Sequence, residues 1–111
     1  IIKSEGDNME IIQNFDEFNT IIHSNDFVLI YVSSENCSVC KADHPIVQDI
    51  VNEYNIPAYE IVANDVPEAV GQLNLFTSPV VMLFYNEKEV HRQARILDFN
   101  ELRYRIEQVV G

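Results

Sequence analysis

Phe27-Val28-Leu29-Ile30-Tyr31-Val32-Ser33-Ser34-Glu35-Asn36-Cys37-Ser38-Val39-Cys40-Lys41 changes character three times within one short stretch. It begins as a continuous apolar run. Two small polar residues end the run, and two cysteines two residues apart follow. The run is short and rich in β-branched residues, which predicts a strand buried on both faces rather than a helix. After the cysteines, Ile46, Val47, Ile50, Val51 and Tyr54 recur at helical spacing, so a helix is expected over Ala42 to Tyr54. A strand that runs straight into a helix start sets Cys37 among unpaired N–H groups at the positive end of the helix dipole. That location favours thiolate, the reactive form of cysteine. A redox-active thiol pair is the chemistry this pattern implies.

The elements on either side fit one alternating pattern. Glu10-Ile11-Ile12-Gln13 is a short strand candidate. Asn14 caps a helix that carries Phe15, Phe18, Ile21 and Ile22 on one face. Pro45 lies inside the helix after the cysteines and is expected to bend it near Lys41–Ala42. Ala58 to Val62 predicts a strand, and Val66 to Leu73 a short helix with Pro67 in its first turn. Val80 to Tyr85 predicts a second buried strand, joined through Asn86-Glu87-Lys88 to a partner over Glu89 to Ile96. Asp98 or Asn100 caps a last helix with Leu102, Ile106 and Val109 in a row. The order βαβαβαββα predicts an α/β fold, a mixed sheet with helices on both faces.

At 111 residues the chain has the size of one domain. Residues 9–111 are expected to form it. Residues 1–8 are polar and without period, and are read as a frayed or foreign leading segment, with Met9 as the natural start. No stretch is long and apolar enough to span a membrane, and the opening does not read as a secretory leader. The formal net charge of −11 argues against nucleic acid or an anionic membrane as partner. The acids are concentrated early. Up to Glu87 there are 14 acids and two bases, and from Lys88 onward four acids and five bases. Only two cysteines, as CxxC, suit a reducing compartment and a catalytic pair better than a disulfide framework. A cytoplasmic location is the expectation.

Cys37-Ser38-Val39-Cys40-Lys41 behind a strand, Pro45 in the next helix and Thr77-Ser78-Pro79-Val80 opening a later strand together resemble the thioredoxin family over nearly all of residues 9–111. The resemblance implies the thioredoxin fold. It implies thiol–disulfide exchange through Cys37 as the exposed nucleophile and Cys40 as the resolving thiol, and it requires no cofactor. It also implies that Pro79 is cis and lies against the cysteines, where it shapes the substrate groove. Ser78 would then offer backbone groups to a substrate chain, its side chain a bystander. Expected partners are disulfide-containing proteins and a reductase or low-molecular-weight thiol donor, met by a monomer.

Departures from the family pattern fall around the cysteines. Asn36 stands where an aromatic residue is usual, and Ser38-Val39 where Gly-Pro is commonest. Tyr31 replaces a buried Asp, and Glu60 replaces that residue's usual Lys partner. Glu60 is therefore the candidate proton acceptor for Cys40. Arg95 stands where a Gly is usual beside the groove. Two other classes remain in view at this point. One is a binding or adaptor module that keeps the fold with little turnover. The other is a metal carrier: Cys37, Cys40 and His44 offer three ligands, one short of a structural zinc site, with His23 and His91 in other elements. No metal is the expectation.

Overall fold

The structure, a computed structural model, describes residues 9–111. The expectation for residues 1–8 lies outside the described residues. Five strands among these residues form one sheet: β1 (Glu10–Ile11), β2 (Phe27–Ser33), β3 (Ala58–Val62), β4 (Val80–Tyr85) and β5 (Lys88–Ala94). Their spatial order is β1-β3-β2-β4-β5. β1, β3 and β2 run parallel, whereas β4 pairs antiparallel with both β2 and β5. Among the described residues four helices cover the sheet: α1 (Phe15–Ser24), α2 (Ser38–Tyr54), α3 (Pro67–Leu73) and α4 (Phe99–Val110).

Strand β2 is buried along its whole length, as a central strand sandwiched between helices must be. Its side chains alternate between two cores. Val28, Ile30 and Val32 pack with Phe18 and Ile22 of α1 and Ala69 of α3. Leu29 and Tyr31 point the other way, against Val47, Ile50 and Val51 of α2 and Ile106 of α4. Fully burying an aliphatic side chain of this size contributes about 1.5–3 kcal/mol. The two-sided run therefore fixes β2 at the sheet centre and the CxxC at its C-terminal edge.

The element order matches the expectation, and the boundaries differ for physical reasons. Helix α2 begins at Ser38, four residues early, because Cys37 itself is the N-cap: its sulfur accepts the Cys40 N–H at 3.2 Å. The helix is continuous through Pro45. β1 stops at Ile11, although the Ile12 N–H still donates to the Glu60 carbonyl at 2.8 Å. A short 3-10 turn, Ala63–Asp65, precedes α3. β5 ends at Ala94 rather than Ile96, because Arg95 takes a left-handed conformation (φ 74°) that no strand continues through. Asn14 and Asp98 cap α1 and α4, accepting from the N–H groups of Glu17 and Glu101.

Candidate active site

Three segments meet at the C-terminal edge of β2. The first is the loop Ser34–Asn36, in which Asn36 adopts φ 61°, a left-handed turn that Asn tolerates better than most residues. It swings the chain from β2 into α2. The second is the first turn of α2. The third is the approach to β4, where the Ser78–Pro79 peptide is cis.

Cys37 and Cys40 are joined as a disulfide, with Cα atoms 5.2 Å apart. Their surroundings differ. Cys37 is half-buried, less open than the sequence suggested, and Cys40 is only 3 % exposed. Cys37 Sγ receives the Cys40 N–H and also the Ser78 hydroxyl, at 3.7 Å. The Ser78 hydroxyl is 2.7 Å from that of Ser34. The Ser78 side chain is therefore a sulfur contact and not a bystander. Sequence reading missed this because a turn serine has many orientations, and only the closure of β4 on β2 selects this one.

Behind the disulfide, a cavity of about 610 Å³ is lined by both cysteines, Lys41, His44 and Glu60, among others. Glu60 is nearly buried and hydrogen-bonded on both oxygens. Ser33 Oγ donates to Oε2 at 2.6 Å, and His44 Nε2 lies 3.1 Å from Oε1. The strand register explains this placement: Tyr31 pairs with Glu60 across β2 and β3, so both side chains point toward α2. Tyr31 is fully buried, and its hydroxyl donates to the Cys40 carbonyl at 2.9 Å. Its ring meets the His44 imidazole edge-on, with centroids 5.6 Å apart. Burial pushes the Tyr31 phenol far above its usual range, and the Asp43 and Glu60 carboxylates push it further. Burial likewise pushes the Asp43 carboxyl up. Among the described residues, no group of three or more His, Cys, Asp or Glu side chains has metal-holding geometry.

On the outer side, the Arg95 N–H donates to the Pro79 carbonyl at 2.8 Å. Arg95 is exposed, and so are three large apolar residues: Val39 between the cysteines, Phe76 two residues before Ser78, and Ile96 next to Arg95, the last at 89 %.

The thioredoxin family model matches residues 10–108. The chain belongs to the thioredoxin family. It is 34 % identical over 99 residues to the thioredoxin-like protein YdfQ of Bacillus subtilis, a match spanning 88 % of this chain and 83 % of that one. Among solved structures it is similar in fold to a thioredoxin from Plasmodium falciparum (TM-score 0.81, 23 % identity, 90 % of this chain and 98 % of that one). It is similar also to a thioredoxin mutant from Halobacterium salinarum (TM-score 0.85, 18 % identity, 98 % and 96 %). The thioredoxin fold and the CxxC disulfide are thus established. Among the described residues no helix is long and apolar enough to cross a membrane. Glu60 and Tyr31 were singled out in the sequence as departures from the family. The pairing of Glu60 with His44 was not. His44 lies four residues after Cys40, on the same face of α2, and that spacing was the available signal.

Proposed function

We propose that this thioredoxin-family chain is a thiol–disulfide oxidoreductase that reduces protein disulfides in the cytoplasm, drawing electrons from a reductase or a small thiol. The observation that carries the reading is the asymmetry of the Cys37–Cys40 pair: a half-buried cysteine at a helix N-cap backed by a buried one. In the reduced protein the Cys37 thiolate is stabilised by the Cys40 N–H, the Ser78 hydroxyl and the α2 dipole. It attacks one sulfur of a substrate disulfide, forms a mixed disulfide and expels the first substrate thiolate. Cys40 then loses its proton and attacks Cys37 Sγ. The Cys37–substrate bond breaks, the second substrate thiolate leaves, and the protein is left as the disulfide. Two substrate thiols form for each pair of protein thiols oxidised.

Ser78 and Pro79 are assigned as the groove wall along which an extended substrate segment pairs, with Val39, Phe76 and Ile96 as its apolar rim. Glu60 is assigned to the polar cluster behind the disulfide that serves the proton exchange of Cys40. Reduction of insulin with dithiothreitol as donor tests the reading. The expected result is catalysed precipitation of the insulin chains that is lost in Cys37→Ser. An adaptor without turnover would give no rate above the dithiothreitol background.

A further inference from the structure

The buried carboxylate has a partner that the CxxC reading does not use. We propose that His44, oriented by Glu60, is the group that takes the proton of Cys40 when the mixed disulfide is resolved. The inference rests on the oxidoreductase reading and adds a residue to it.

Three features of the geometry support this. First, Cys40 and His44 are one turn apart on one face of α2, and both line the cavity behind the disulfide. The cavity is roomy and polar enough for water to connect them. Second, His44 Nε2 is engaged by Glu60 Oε1 at 3.1 Å, and the other Glu60 oxygen is held by Ser33 at 2.6 Å. An imidazole whose Nε2–H is given to a carboxylate carries its lone pair on Nδ1, so its tautomer and ring orientation are both set. Third, Tyr31 closes the ring from the sheet side, meeting it at 79° while its hydroxyl holds the Cys40 carbonyl. The ring therefore cannot swing away without breaking buried contacts.

Charge balance points the same way. Glu60 is engaged on both oxygens, by Ser33 and by His44, and a carboxylate so placed gives an imidazolium beside it a charge-assisted partner. The proton leaving Cys40 thus turns the His44–Glu60 hydrogen bond into an ion pair, with no unpaired charge buried. When the second substrate thiolate departs, the imidazolium returns the proton to it. Proton and electron counts then match the exchange written above. The other titratable groups around this ring are Tyr31 from β2, Asp43, Asp49 and Lys41 from α2, and Glu35 from the preceding loop. Tyr31 is held protonated by burial, and Lys41 and Asp49 are exposed. Among the described residues, His44 is the titratable side chain of this cluster that is hydrogen-bonded to the buried carboxylate.

Single-turnover oxidation of the reduced protein by an aromatic disulfide with a coloured leaving thiolate separates the two steps. The first thiolate released reports attack by Cys37, and the second reports resolution by Cys40. The coloured thiolate needs no protonation, so the second phase isolates the Cys40 proton. In His44→Ala the first phase should keep its rate. The second should slow about tenfold or more at pH 7, within the range of general-base effects. Its pH profile should move to the alkaline side, and free imidazole in solution should restore it. Glu60→Gln should slow the same phase and leave the first alone. A second phase unchanged in His44→Ala would overturn the proposal. So would slowing of both phases that imidazole does not restore, since that is the mark of a merely structural residue. A wild-type protein that never releases a second thiolate would instead overturn the oxidoreductase reading on which the proposal stands.

Discussion

Tyr31 shows what a single exchange of residue does to this site. Its phenol on β2 stands in register with Glu60 on β3, so a carboxylate lies beside it on the same face of the sheet. Tyr31 also ties the sheet to the first turn of α2 through the Cys40 carbonyl. Removing its hydroxyl in Tyr31→Phe deletes one buried hydrogen bond, so a loss of about 1 kcal/mol is expected in urea unfolding at neutral pH. The same substitution should change the alkaline limb. The folded-state pKa of Tyr31 is raised above the ordinary value of 10.0. Its contribution is therefore fully present below pH 10 and is lost as pH rises further, because the unfolded chain ionises first. Stability of the wild type should fall above pH 10 more steeply than that of Tyr31→Phe. At this scale the sequence was legible only in part. The departure at Tyr31 is visible in the letters. Its bond to Cys40 and the hold of Ser78 on Cys37 are not, because both depend on side-chain directions set by packing between elements distant in sequence.

Helix α2 carries both cysteines, the proline and the histidine, and it was the element least well bounded from sequence. Apolar periodicity starts only at Ile46, so the sequence alone puts the start near Ala42. The true start is decided by the N-cap bond to Cys37 sulfur, a function seldom served by cysteine. The buried strands fared better. Ala58–Val62 and Val80–Tyr85 were bounded correctly, since hydrophobic runs closed by turn residues leave little choice of register. Helix α2 also carries a cost that can be measured. Burial raises the folded-state pKa of Asp43 above its ordinary 3.8. Its stabilising contribution is therefore fully present below pH 3.8 and is lost as pH rises through the raised folded value, so ionised Asp43 weighs against folding at neutral pH. Asp43→Asn should raise the thermal midpoint at pH 7, with the gain shrinking as pH falls toward 3.8. A gain that persists unchanged at acid pH would mean the effect comes from packing or helix propensity, not from the carboxylate charge.

Across the whole molecule, one topological fact organises the rest. The parallel half of the sheet delivers β2 to the sheet centre, and the antiparallel half brings Ser78–Pro79 back against the cysteines. The two faces of the sheet divide the labour. The α1–α3 face is packed with apolar side chains, whereas the α2–α4 face holds Tyr31, Glu60 and the cavity beneath the disulfide. The most direct test of the account is to trap its central intermediate with an insulin disulfide as substrate. Cys40→Ser lacks the resolving thiol, so it should accumulate a covalent mixed disulfide through Cys37, visible as a dithiothreitol-sensitive mass increase, while Cys37→Ser accumulates none. Absence of the adduct from Cys40→Ser, or its appearance through Cys40 in Cys37→Ser, would contradict the account.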